Sequence, residues 1–239
     1  YCDEVKADGF DLVDDFSDLF GMNAAGTDAK MRNTKESILE AQFTSGAGNW
    51  CTWMFGRDLV NWNNNFTWAK WVTPSRDLIS AFKQEGDEVR FKESIVYYDC
   101  NWSNYYPSDN YPFMYKCRSA NSSIIKYRYA DVLLLKAEAL IMQDTPDLEG
   151  AADIIDEVRD RAKLGALSSS TRSNKDALLN ALLKERRLEL AFEGQRWFDL
   201  VRLDKVEEVM NAVHAKDSGR KAQVYTYDKN SYRLPIPQS

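Results

Sequence analysis

Between Tyr127 and Gln143 the chain sets Ala130, Leu133, Leu134, Ala137, Leu140 and Ile141 at three- and four-residue spacing. That spacing lines them up along one face of an α-helix. Val132, Leu135 and Ala139 make the other faces apolar too. A helix apolar nearly all round belongs in the middle of a packed structure, so neighbours must cover it on several sides. The downstream sequence supplies them. Thr145-Pro146-Asp147 breaks the pattern, and a second helix is expected from about Leu148 to Lys163, with Leu148, Ala151, Ile155, Val158 and Ala162 on its stripe and Gly165 ending it. After a polar loop, a third helix runs from about Lys175 to Phe192, capped by Asn174 and stopped by Gly194. A fourth runs from about Gln195 to His214 and carries Trp197, Leu200, Val201, Val209, Met210 and Val213.

The short connections predict two antiparallel helix pairs of the tetratricopeptide type, although the repeat consensus is degenerate. The fold class read from this is mainly α, with a large irregular, aromatic-rich loop region. Residues 1–125 form that first region and 126–239 the helical one, expected as one integrated domain. Tyr1 to Gly9 reads as the last turns of a helix stopped by Gly9. Gly9 to Phe20 reads as an extended piece followed by a short helix, and Glu36 to Phe43 as a short strand. Asp77 to Lys83 reads as a helix after Pro74, and residues 41–125 are otherwise expected to be mostly irregular. The tail, with Pro235 and Pro237, is expected to be extended. Neither end has the character of a natural terminus, and the chain is expected to be a fragment truncated at its N-terminus.

Composition excludes several classes of function. Lys and Arg number 31 against 37 Asp and Glu, a net charge of −6, which is the wrong sign for neutralising a nucleic-acid backbone. No run of about 18 apolar residues is present to span a bilayer as a helix. One histidine, His214, leaves no partner for histidine-based metal or triad chemistry, and its place at the end of a helix suits a cation facing the dipole. Cys2, Cys51, Cys100 and Cys117 contain no CxxC spacing, and both buried free thiols and a Cys100–Cys117 bridge fit. Glu185, Glu189 and Glu193 share one face of the third helix, but Arg186, Arg187 and Arg196 interleave with them. A structural ion-pair network is the expectation, with no metal and no cofactor. Within it, Arg186, Glu193, Arg196 and Asp199 are expected to bond one another between the third and fourth helices, holding the Gly194 turn.

Five of the seven tryptophans fall within Trp50–Trp71, amid Asn49, Asn61, Asn63, Asn64 and Asn65, where only Arg57, Asp58 and Lys70 are charged. Core tryptophans sit among Leu, Ile and Val; these sit among Asn, Thr and Gly. Flat aromatic faces with interspersed amides suit a neutral sugar, whose C–H faces stack on rings while its hydroxyls bond amides. Trp50, Trp53, Trp62 and Trp68 are therefore the candidate platforms, with Asn49 and Asn63 as hydrogen-bonding partners, and Trp71 reads as packing. Some of these rings are expected only to hold the loops down.

Four blocks in the helical half, Tyr127 to Leu140, Ile155 to Arg161, Glu185 to Arg202 and Leu234 to Gln238, resemble in content and order the SusD/RagB family. Within the third, Glu193-Gly-Gln-Arg-Trp-Phe-Asp-Leu200 is highly specific. Glu36-Ser-Ile-Leu-Glu40 and Asp87-Glu-Val-Arg90 are similar to the family's mid-chain motifs. Family members are about twice as long, begin with a lipidated cysteine and continue past the Pro-Ile-Pro motif; this chain resembles the C-terminal half. The resemblance implies a non-catalytic, glycan-binding surface lipoprotein of the Bacteroidetes outer membrane. It would cap a TonB-dependent, SusC-like porin and be anchored only through an N-terminal lipid that this chain lacks. The family carries no fixed ligand motif to transfer, so the tryptophan candidates rest on local composition. A tetratricopeptide-like protein scaffold without sugar binding is the alternative. A glycoside hydrolase is disfavoured, because Asp58 and Asp77 are the sole carboxylates in or beside the aromatic segment and such an enzyme needs two across a cleft.

Overall fold

The structure, a computed structural model, describes residues 1–44, 48–49, 72–100, 103–216 and 226–232. Among these, α1 (Cys2–Ala7) and α2 (Ser17–Phe20) precede β1 (Ser37–Ala41). Then follow α3 (Arg76–Glu85), α4 (Glu88–Ser94), β2 (Ile95–Tyr98), β3 (Tyr111–Met114) and β4 (Ile124–Arg128). The helical half holds α5 (Tyr129–Met142), α6 (Leu148–Arg161), α7 (Ser169–Arg172), α8 (Lys175–Glu189), α9 (Arg196–Arg202) and α10 (Val206–Lys216).

The apolar helix α5 is central, as its pattern requires. Ala130, Leu134, Ala137 and Ile141 are fully buried against Ala151, Ala152, Ile155 and Val158 of α6 and against Leu178 and Leu182 of α8. Each large side chain buried here contributes roughly 1.5–3 kcal/mol. Local chemistry sets the helix starts. Asp147 accepts the Gly150 N–H at 2.9 Å and Asn174 accepts the Ala177 N–H at 2.9 Å. Ser75 and Asp87 do the same for α3 and α4.

Two helix ends differ from expectation. Gly165 does not stop α6; Lys163 takes the left-handed conformation (φ 61°), with Leu164 N bonded to Arg159 O and Lys163 N to Asp160 O. This is the Schellman arrangement without its usual glycine. The fourth helix is divided into α9 and α10 by the same device at Asp204 (φ 53°), where Lys205 N bonds Leu200 O and Asp204 N bonds Val201 O. No glycine or proline marks that break. The second helix pair is altered accordingly. α8 packs on the α5–α6 hairpin, while Leu183, Leu200 and Val206 form a separate, smaller cluster under α9 and α10.

The aromatic region carries more regular structure than expected. Within the described part of residues 41–125 lie α3, α4, β2, β3 and the start of β4. β1 pairs antiparallel with β4 through a bulged register, and β2 pairs antiparallel with β3, Tyr98 opposite Tyr111. Cys2 and Cys100 are free thiols, so the Cys100–Cys117 alternative falls away.

Replacing Asp147 by Ala should cost about 1 kcal/mol through the lost cap, whereas Leu134→Ala should cost about 2–5 kcal/mol. Urea unfolding of both variants checks the ordering; equal losses would mean that α5 is not the centre of the core.

Candidate functional site

Two constellations stand out, one buried and one peripheral. The buried one is built around Glu189. Arg128 contacts Glu189 at 2.5 Å, Glu36 at 2.7 Å and Glu193 at 2.7 Å. Arg90 holds Asp87 and Glu185, each at 2.5 Å, and Glu189 at 3.0 Å. Arg161 bonds Glu36 at 2.8 Å and also pairs with Glu189. Lys116 donates to Glu193 at 2.5 Å and to the Glu189 carbonyl at 2.8 Å. Phe16 is buried beneath this group, with the charged ends of Lys116, Arg161 and Arg128 at 5.2, 4.9 and 5.9 Å from its ring centroid. The negative ring face favours the three cations. Burial works to raise the Glu189 carboxyl, but Arg161, Arg128 and Arg90 outweigh it and hold that group well below the usual carboxylate range. Burial also opposes Glu193, which Arg128 and Lys116 bring down. For Glu185 and Asp87 burial wins over Arg90, and both are raised.

Arg186 belongs to a second group. It reaches Asp131 and Asp199, each at 2.8 Å, and Asp199 also meets Arg202 at 2.9 Å. Arg202 pairs with Glu138 on α5. Of the four residues expected to bond one another, only Arg186 and Asp199 do. Glu193 turns instead to Lys116 and Arg128, and Arg196, half-buried, donates to the Leu183 carbonyl at 2.9 Å. Burial and then neighbouring Arg187 bring Arg196 down to about 10. The ladder of Glu185, Glu189 and Glu193 is thus engaged by arginines and a lysine, with the geometry of structural ion pairs.

The peripheral constellation is aromatic. Tyr111 and Phe113 of β3 are buried, with Tyr98, Tyr105, Tyr106 and Tyr115 half-buried around them. Tyr105 meets Tyr106 edge-on at 4.8 Å, Tyr106 meets Tyr111 at 5.5 Å, and Tyr111 meets Phe113 at 5.3 Å. The Arg76 guanidinium lies 4.1 Å from the Tyr105 ring centroid and 4.5 Å from that of Tyr106, and donates to the Tyr105 carbonyl. The Tyr106 hydroxyl donates to Pro74 O at 2.7 Å, and the Tyr111 hydroxyl lies 3.3 Å from Thr73 Oγ1 and 3.2 Å from Ser103 Oγ. Half-exposed rings locked by hydroxyl bonds, with a guanidinium between them, form the kind of rigid amphipathic surface that recognises ligands. Thr73 to Arg76 follow directly on the tryptophan-rich segment in the chain.

Of the residues proposed from sequence, Trp50, Trp53, Trp62, Trp68 and Asn63 lie outside the described residues. Asn49 is buried; its amide donates to Ser122 O at 3.0 Å and to Cys117 Sγ at 3.1 Å, so it works inside the fold and not at a sugar-facing surface. The tyrosine array was not legible in the sequence because residues 97–115 mix aromatic, polar and turn-forming residues with neither a helical nor an alternating period. The available signal was aromatic density: seven Tyr or Phe residues in that span.

The sequence profile of the SusD family matches residues 109–239. The chain belongs to the SusD family. It is 41% identical over 106 residues to SusD-like protein P38 of Formosa agariphila, which covers 42% of this chain and 21% of that protein. To SusD-like protein P2 of the same organism it is 35% identical over 125 residues, 50% of this chain and 24% of that one. The chain therefore aligns with about a fifth to a quarter of the curated relatives it matches. Among solved structures, surface glycan-binding protein A from Bacteroides uniformis superposes with a TM-score of 0.64 at 21% identity, covering all of this chain and 50% of that one. Its counterpart from Bacteroides thetaiotaomicron, solved with laminarihexaose, gives 0.64 at 18% identity, covering 88% and 50%. At such identities these structures establish the shared fold.

Replacing Glu189 by Gln leaves three buried arginines short of a charge and should cost about 3–5 kcal/mol at pH 7. The carboxyls held low, Glu189 and Glu193, contribute stability that is present above the usual glutamate value of 4.5 and lost as pH falls below it. The raised groups, Glu185 and Asp87, act in the opposite sense. The Glu189→Gln variant should therefore lose stability less steeply than the parent between pH 4.5 and 3. Parallel stability–pH curves from urea unfolding would contradict this account.

Proposed function

We propose that this chain forms part of a non-catalytic cell-surface protein that captures an oligo- or polysaccharide and delivers it to a TonB-dependent outer-membrane porin, with attachment to the membrane through a lipid. The observation that carries the reading is the tyrosine array around Arg76, which adjoins in sequence a segment holding five tryptophans among asparagines. Membership of the SusD family supports it, as do fold relatives described as glycan-binding, one of them solved with laminarihexaose. Another is described as a laminarin-binding SusD-like protein. A non-catalytic role fits the carboxylates of α3 and α8 and of the turn after α8: Asp77 is paired with Arg187 at 2.7 Å, and Glu185, Glu189 and Glu193 are engaged in ion pairs. Two free carboxyls facing each other across a cleft are the requirement for glycoside hydrolysis.

The test pairs stability with binding. Calorimetric titration against a panel of neutral polysaccharides, laminarin included, should reveal binding without release of reducing ends. Tyr105→Ala, Tyr106→Ala and the Trp50, Trp53, Trp62 and Trp68 alanine variants should divide into two groups. Platform rings should lose at least tenfold in affinity with under about 1 kcal/mol of stability change, whereas Phe113→Ala, a core ring, should cost about 3–5 kcal/mol. If every variant binds normally, the site lies elsewhere. If no glycan binds the parent but the porin does, the protein is an interaction scaffold.

A further inference from the structure

A cavity of about 430 Å3 lies between the end of β3, the start of β4 and the turn after α8. Its walls are mostly apolar, with Phe20, Val72, Met114, Ile124, Ile125 and Phe192 lining it. Polar residues interrupt them: Lys116, which is 4% exposed, with Glu193 beside it, and Ser123 and the exposed Lys126. Both Glu193 oxygens are already held by Arg128, at 2.7 and 2.9 Å, so Lys116 is a second cation on a carboxylate that has one. An ammonium has three N–H donors. Two of those on Lys116 go to Glu189 O and Glu193 Oε1, and among the described residues the third has no hydrogen-bond acceptor.

The backbone beside this wall is strained. Phe192 lines the cavity at φ +67°, a conformation that bulky residues rarely adopt. Strain of this kind collects at ligand sites, where the surrounding structure holds it in place. Gly194, the next positive-φ residue, completes the turn at the same wall.

We propose that this cavity is a binding site for a small carboxylate with an apolar body, its charged group bonded to Lys116 and its hydrocarbon packed between Phe20, Phe192 and Ile124. A neutral sugar fits the wall poorly, because most of its hydroxyls would face apolar side chains and burying them unpaired is unfavourable. An apolar neutral molecule would leave the third Lys116 N–H without an acceptor, with only the Phe16 and Phe20 rings beside the ammonium, at 5.2 and 4.7 Å. Burial lowers Lys116 to about 8 in spite of Glu193, and an anion brought against it relieves that desolvation. The inference does not rest on the glycan reading.

Sodium octanoate is the probe, titrated calorimetrically into the full-length protein at pH 7, with octan-1-ol and glucuronate as comparators. Octanoate should bind, and both comparators should be at least tenfold weaker. Ile124→Trp, which places an indole in the cavity away from the ion pairs, should weaken octanoate binding at least tenfold while leaving polysaccharide binding unchanged. Lys116→Met should reduce octanoate to the level of the alcohol. Absence of octanoate binding, equal binding of the alcohol, preference for glucuronate, or indifference to Ile124→Trp would each overturn the proposal. Polysaccharide binding, read on the same samples, reports separately on the glycan-capture reading.

Discussion

A single buried carboxylate, that of Glu189, has Arg90, Arg128 and Arg161 around it, and these arginines come from α4, β4 and α6. Through their other bonds the same cations collect Glu36 ahead of β1, Asp87 at the cap of α4, Glu185 on α8 and Glu193 in the turn that follows. The Val13 N–H joins through Glu36 at 3.0 Å. Segments more than 150 residues apart in sequence are thus fixed to one point. Charges this deeply buried pay heavily for leaving water, and an apolar core of equal volume is often as stable or more so. What the cluster adds is specificity. A carboxylate encircled by three guanidinium groups tolerates few alternative arrangements, because any shift of one segment leaves an unpaired charge inside. The orphaned Arg90 Nη2 and Arg161 Nε, buried without a hydrogen-bond acceptor, show how closely the available oxygens are already shared.

This cluster explains which parts of the sequence were legible. The blocks that resemble the family contain Glu36, Asp87, Arg90, Arg128, Arg161, Glu185, Glu189 and Glu193, which are the residues that meet around Glu189. Motifs scattered over more than half the chain are one spatial feature. Sequence alone placed the glutamates on one helical face and the arginines among them, but it could not choose partners. Arg186 was expected to meet Glu193, Arg196 and Asp199; it meets Asp199, but Asp131 in place of the other two, because its position one turn past Leu182 aims it at α5. Lys116 lies outside every block, and no local pattern distinguishes it from a surface lysine. The helix stripes were legible because burial repeats with the helical period. The stops at Lys163 and Asp204 were not, because a Schellman turn closed by a lysine or an aspartate has no residue signature and is held by its tertiary setting.

The peripheral site obeys different physics. The tyrosine array is fastened by hydroxyl bonds to Pro74 and to the Thr73 and Ser103 side chains and by the stacking of Arg76. None of those interactions involves the Glu189 cluster. Arg76 is the first residue of α3, whose start is fixed by the Ser75 cap and whose buried face, Leu78, Ile79 and Phe82, packs near Leu188 of α8. The helix therefore transmits rigidity outward from the core, while its first turn presents the guanidinium to the rings.

Separating the two regions has a consequence for how substitutions act. None of the described bonds of the half-exposed rings reaches the Glu189 cluster, and substitutions at distant sites are close to additive in their effects on stability. A change at Glu189 or Arg128 acts on every segment that the cluster joins, including α4, which follows directly on α3 and so on the array's own support. The scaffold can therefore stay fixed by charge complementarity at its centre while the half-exposed aromatic surface varies, because the two are held by different interactions.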